Sequence, residues 1–148
     1  MSQKLTINFH ISRVYRLVLR AVGERLADIG LKNSSLYYAV LELHLQDGLT
    51  MSELSDILAV DKSFMTKEIK KLIKLGYVTQ QVDPADRRIQ RVYLTESGRA
   101  AAERVGRAFS EVLGILGQDI DPAELQVVFA VWAKLYANAR NHLTRGGG

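Results

Sequence analysis

The feature that most constrains this chain is a change of hydrophobic period just after Gly76, directly downstream of two short helical stretches. Upstream, Thr50-Met51-Ser52-Glu53 puts Thr50 at a helix N-cap and Glu53 three residues on, the pattern of a capping box. A short helix follows through Leu54, Ile57 and Leu58. Ala59-Val60 makes a brief connection, and Asp61 stands where it caps the next helix. Met65, Ile69, Leu72, Ile73 and Leu75 give that helix, Asp61 to Leu75, an apolar face, and Gly76 ends it. Two short helices joined by a turn of about three or four residues form a helix-turn-helix. Beyond Gly76 the helical spacing is lost. Tyr77 to Val82 is β-prone, Asp83-Pro84-Ala85-Asp86 is a turn cluster, and Ile89 to Leu94 alternates as a returning strand. A hairpin in that place is a wing.

Longer helices flank this unit. Ile7, Ile11, Val14, Leu17, Val18, Val22 and Leu26 recur at three- and four-residue steps, one face of an amphipathic helix with Gly30 as its stop. Asn33 or Ser34 caps a second helix through Tyr37, Val40, Leu41 and Leu45, which ends near the turn dipeptide Asp47-Gly48. After the hairpin, Thr95 caps a helix from Glu96 to about Leu116. Asp121-Pro122-Ala123-Glu124 starts the last one, which carries Leu125, Val128, Phe129, Trp132, Leu135 and Tyr136. Phe9, Ile11 and Val14 early, with Phe129, Trp132 and Tyr136 late, are more apolar surface than a small central domain covers, so a partner subunit is expected. The expected fold is mainly α with a small β-hairpin wing: a winged helix-turn-helix with N- and C-terminal dimerisation helices. Its parts are an N-terminal dimerisation helix over 1–32, the winged unit over 33–98, C-terminal dimerisation helices over 99–145 and a flexible tail over 146–148.

Composition removes several classes of function. Hydrophobic residues make up 47% of the 148, enough to bury a core. The chain has no cysteine, which excludes a disulfide framework, a thiolate zinc site and a thiol redox switch. His10, His44 and His142 lie far apart and show no metal-ligand spacing, so no metal and no cofactor are expected. Phosphate-cradling glycine loops and nucleophile elbows are missing, and Asp119 and Asp121 read as helix-capping residues. The N-terminus lacks the apolar run of a secretory leader, and no stretch reaches the ~18 consecutive apolar residues of a membrane span. A cytoplasmic, non-enzymatic protein with no membrane partner is expected.

The net charge of +4 permits nucleic-acid binding without demonstrating it, so the placement of charge matters more. The apolar side of the Asp61–Leu75 helix leaves Lys62, Ser63, Thr66, Lys67, Lys70, Lys71 and Lys74 for other faces. Lysines there meet phosphates, and Ser63, Thr66 and Phe64 reach base edges. Phe64 is either a contact for a thymine methyl or a core residue. In the wing, Asp86-Arg87-Arg88 forms the tip with Arg91 following. A guanidinium on a narrow hairpin can enter a minor groove, and Asp86 would pair with an arginine to fix the tip. The plain alternatives are a solvated lysine face and a charged, soluble turn.

From Ser12 to about Arg104 the sequence resembles the multiple-antibiotic-resistance regulator (MarR) family of transcription factors. Asp86-Arg87-Arg88, Ile89 through Tyr93, then Leu94-Thr95 with Gly98 beyond match its wing pattern. So do Tyr38-Ala39-Val40-Leu41, Leu49-Thr50-Met51-Ser52-Glu53-Leu54, Val60-Asp61-Lys62-Ser63 with Thr66, and Leu72 with Leu75-Gly76-Tyr77-Val78. The resemblance implies a homodimeric repressor or activator on double-stranded DNA at palindromic sites. Its recognition helix would be Asp61 to Leu75, with Arg88, or Arg87 as second choice, in the minor groove and Asp86 holding the wing. Phe64 stands where the family usually has a small polar residue. The resemblance also implies release by a small aromatic or anionic effector, with Arg13, Tyr15, Arg16, Tyr37, Tyr38 and His44 as candidate lining residues. Competing readings are a winged-helix protein-interaction module that does not bind DNA, and a helical enzyme subunit.

Overall fold

Helix boundaries follow from which residues can satisfy the backbone groups a helix end leaves open. The computed structural model describes residues 3–143, with side chains from His10 onward. The tail over 146–148 and the side chains of Ile7 and Phe9 lie outside the described residues. The first helix, α1 (Gln3–Arg25), ends before Gly30. The chain tightens into a 3₁₀ turn over Ala27–Ile29, and Gly30 closes that turn instead, its N–H donating to the Ala27 carbonyl. In α2 (Ser34–Leu45) Asn33 is the N-cap by backbone conformation alone, since its side chain makes no capping bond. The capping box of α3 (Met51–Leu58) is complete. Glu53 N–H donates to Thr50 Oγ1 at 3.2 Å and Thr50 N–H to Glu53 Oε2 at 2.7 Å. Ala59 then turns the chain with a φ of 53°, and α4 (Lys62–Lys74) begins without a side-chain bond from Asp61.

The hairpin pairs β2 (Val78–Val82) with β3 (Gln90–Leu94) antiparallel, from Val78 opposite Leu94 to Val82 opposite Gln90. A further strand, β1 (Leu49–Thr50), adds to the other edge of β3, with Leu49 opposite Val92 and Thr50 opposite Arg91. Two residues are too few to show a period, so β1 is silent in the sequence. It fastens the wing to the start of α3. Thr95 accepts from Gly98 N–H at 3.0 Å and so caps α5 (Glu96–Leu116), and Asp121 accepts from Ala123 N–H at 2.7 Å to cap α6 (Pro122–Leu143).

The chain divides after Val112 into two compact units. In the first, the core gathers Val22 and Leu26 of α1, most of α2, Leu54, the α4 stripe Met65–Ile69–Leu72, the sheet residues Val78, Val92 and Leu94, and the inner face of α5. Ile73 and Leu75, expected on the same stripe, are exposed, because the buried row ends at Leu72. The α5 face is made of small residues, Gly98, Ala101, Ala102 and Ala108, with Val105 and Val112. This lets its backbone lie close to the turn after α4. In α1, Ile11, Val14 and Leu17 are exposed; in the second unit, α6 has no buried residue at all. Among the described residues no helix is long and apolar enough to cross a membrane.

Candidate nucleic-acid interface

On α4, Ser63, Thr66, Lys67, Lys70 and Lys74 recur at three- and four-residue steps and lie on the outer side of the buried stripe. All are exposed except Thr66, which is half-buried and donates its hydroxyl proton to the Lys62 carbonyl at 2.8 Å. Its oxygen therefore remains available chiefly as an acceptor. Phe64 is 43% exposed and so is not a core residue. It borders a cavity of about 430 Å³ among Leu19, Arg20, Lys32, Ser34, Ser35, Glu68 and Lys71.

The wing tip stands clear of the sheet. Arg88 has 93% of its side chain exposed, and its Nε lies 3.4 Å from Asp86 Oδ1, which also accepts the Arg88 N–H at 3.0 Å. Arg88 and Lys62 line one shared depression of about 390 Å³, together with Thr50, Met51 and Ser52 at the start of α3 and Gln80, Ile89 and Gln90 of the hairpin. The fold thus brings the first residue of α4 and the wing arginine to one concave surface. Arg87 is exposed but does not line it.

Arg91, which the sequence places as one more wing cation, faces inward. Its Nε donates to Asp83 Oδ2 and its Nη1 to the Gly48 carbonyl at 2.9 Å, with Glu53 at 3.8 Å. Asp83 Oδ1 accepts the N–H groups of Ala85 at 2.8 Å and Asp86 at 3.3 Å. Asp83 and Arg91 therefore tie the root of the tip loop to the β1 edge. They flank the tip loop from its two sides, and only the strand register turns that spacing into a contact.

The Arg91 guanidinium, helped by the Ala85 N–H, holds the Asp83 carboxyl below its ordinary 3.8. A depressed folded value means the pair stabilises the wing above the unfolded value and that this is lost as pH falls through the folded one. In Arg91→Ala the Asp83 midpoint rises, while the Ala85 and Asp86 N–H groups still hold it down in part, as read by carboxyl-carbon NMR titration. An unmoved midpoint would show that the pair does not form in solution.

Of the six candidates for effector lining, Tyr15, Tyr37 and Tyr38 lie together. Tyr37 is fully buried, its ring 5.0 Å from Tyr38 and 5.7 Å from Phe109, with its hydroxyl donating to the Leu19 carbonyl at 3.4 Å. It is a core residue with no face left for a ligand. Tyr38 is half-buried beside Tyr15, and burial with that neighbour pushes its hydroxyl up to about 12. Arg13, Tyr15, Arg16 and His44 are exposed, and none of the six borders either cavity described above. Among the described residues no group of three or more histidine or acidic side chains is placed to hold a metal.

Comparison with known proteins agrees with this architecture. A sequence model described as the MarR family matches residues 30–89, from the end of the 3₁₀ turn to the wing tip. Among solved structures, a MarR transcriptional regulator from Methanosarcina mazei Go1 superposes with a TM-score of 0.84 at 30% identity, covering 90% of this chain and 96% of that one. A MarR protein from Peptoclostridium difficile DA00132 gives 0.83 at 26% identity, covering 91% and 88%. The uncharacterized HTH-type transcriptional regulator YdgJ of Bacillus subtilis (strain 168) is 26% identical over 112 residues, 76% of this chain and 68% of that protein.

Proposed function

Because this chain belongs to the MarR family of transcriptional regulators, we propose that it is a homodimeric, sequence-specific DNA-binding repressor of palindromic operators. The observation that carries the reading is the shared depression of Lys62 and Arg88, which lets helix and wing grip one duplex together. In this reading α4 enters the major groove. Lys62 and Lys67 meet phosphates while Ser63, Phe64 and Thr66 face base edges. Arg88 enters the adjacent minor groove, where the potential is most negative, with Arg87 nearer the phosphates. Asp86 orients Arg88, and Arg91 sets the wing's angle without touching DNA.

Dimerisation is supported by what the exposed faces forgo. Burying a large apolar side chain contributes ~1.5–3 kcal/mol. Ile11, Val14 and Leu17 on α1, and Phe129, Trp132 and Tyr136 on α6, all stand exposed. A second copy covering them gains several such contributions. Release by a small aromatic or anionic effector fits the cavity beside Phe64 better than the six candidate tyrosines, arginines and histidine, none of which lines a cavity described above. The volume beside Phe64, about 430 Å³, lies within the ~300–1,000 Å³ of small-molecule sites. Arg20 and Lys32 supply cations there, and an occupant would touch the recognition helix directly. Action on operators puts the protein in the cytoplasm.

The test is selection from a randomised duplex library at two salt concentrations. The expected product is an inverted repeat with half-site centres about 10 bp apart, or a multiple of that, bound with a steep salt dependence. A single unrepeated half-site would overturn the dimer. Sequence-blind binding erased by salt would overturn specific recognition and favour a protein-interaction module.

A further inference from the structure

The recognition helix carries five lysines and a single acid, Glu68. An acid on a surface meant for phosphates is unexpected, and Glu68 resolves the conflict by not being on that surface. It is 2% exposed, which glutamates almost never are unless paired. Both carboxylate oxygens are engaged. Ser35, in the first turn of α2, donates its hydroxyl to Oε2 at 2.5 Å, and Lys71 Nζ donates to Oε1 at 2.5 Å. Phe64 lies one turn before Glu68 and Lys67 immediately before it, so whatever holds Glu68 sets how both are presented. Lys71 projects ~40° around the helix from Lys67 and ~60° from Lys74, close to the lysine face.

We propose that Glu68 is a positioning residue of the DNA-binding surface: it fixes the roll of α4 against α2 through Ser35 and withholds Lys71 from the phosphate backbone. The proposal rests on the reading that α4 binds DNA. Its physical basis is the asymmetry between buried and exposed ion pairs. An exposed pair exchanges partners at little cost, whereas removing one partner of a buried pair strands an uncompensated charge. Lys71 has 55% of its side chain exposed, but Glu68 has 2%. Were Lys71 to swing to a phosphate, Glu68 Oε1 would lose its charge partner inside the fold. Lys62, Lys67, Lys70 and Lys74 have no ion-pair partner among the described residues, and each can displace a counterion. Withholding one lysine lowers sequence-blind attraction, and the Ser35 bond holds the angle at which Phe64 and Lys67 meet the groove.

The experiment measures affinity for the selected operator and for an unrelated duplex across a salt series. The proteins compared are the full chain, Lys71→Ala, Glu68→Gln, Ser35→Ala and the double variant Glu68→Gln/Lys71→Ala. Lys71→Ala alone leaves the slope of log affinity against log salt unchanged. Glu68→Gln keeps the shape and the Ser35 bond but frees Lys71. The slope then steepens by ~0.9 for each phosphate newly reached, and the operator-to-random ratio falls several-fold. Adding Lys71→Ala to that variant returns the slope to the parent value. Ser35→Ala changes the ratio without changing the slope, a split that simple loss of folded protein cannot produce. A shallower slope in Lys71→Ala alone, or an unchanged slope and ratio in Glu68→Gln, overturns the proposal while leaving DNA binding intact. A parent chain that binds no duplex at low salt overturns both.

Discussion

Replacing Arg88 with alanine is expected to weaken operator binding by about 30-fold or more. A side chain reading a groove directly contributes ~1–3 kcal/mol, and a symmetric dimer presents two wings. At the lower end of that range the two together amount to ~2 kcal/mol, or ~30-fold. The size of the effect depends on the arginine being held ready. Asp86 keeps Arg88 at the tip through its N–H and its Nε, while Asp83 and Arg91 fix the root of the tip loop. Arg88→Lys keeps the charge but not the planar fork, so it recovers only part of the loss, chiefly on unrelated duplexes. Arg87→Ala costs less, since Arg87 does not line the depression shared with Lys62. Titration of the three variants against operator and random duplexes checks this. A loss in Arg87→Ala with none in Arg88→Ala would move the contact to the neighbour, and no loss in either would remove the wing from the interface.

The second large effect falls on folding rather than binding. A Cβ on Gly98 would sit 2.0 Å from the Tyr77 carbonyl oxygen and 3.0 Å from Leu94 Cδ2. The obstacle is backbone, so no side-chain rotation relieves it. That carbonyl also accepts the Thr95 N–H at 3.0 Å, and Thr95 Oγ1 donates to the Gly76 carbonyl at 2.6 Å. Making room for a methyl group therefore pulls α5 off the turn that it is stitched to. Overpacking alone costs ~1–3 kcal/mol, and each strained or broken hydrogen bond adds ~1 kcal/mol. Gly98→Ala is expected to lose ~3 kcal/mol or more, a fall in Tm of ~6–12 °C. Gly106, on the same helix, has nothing within 4 Å of its would-be Cβ, so alanine there raises Tm by relieving the ~0.5–1 kcal/mol cost of a helical glycine. Thermal denaturation of the pair checks both signs. Equal melting temperatures would mean that α5 does not seat against Tyr77 as described.

What could be read from the sequence shares one property: its cause lies within a turn or two of chain. Thr50 and Glu53 bond to each other three residues apart, Thr95 and Asp121 reach N–H groups two or three residues on, and the alternation of β3 declares itself over five residues. Hydrogen-bond reach and side-chain period at that range are nearly independent of the rest of the molecule, so helix order, turn and wing were legible. The failures came where the local rule had a distant competitor or too few residues. Asn33 and Asp61 occupy N-caps without side-chain bonds, β1 spans two residues, and Ile73 and Leu75 keep the helical period but run past the core. Charge shows the division most clearly. The sequence by itself determined how many cations lie on the recognition helix and wing. Only the tertiary structure decided which remain uncommitted. It joins Arg91 to Asp83 and to Gly48, 43 residues away, and seats Lys71 on a glutamate that Ser35 holds from 33 residues away. An ion pair depends on proximity in space, and proximity between distant residues exists only once the core has closed.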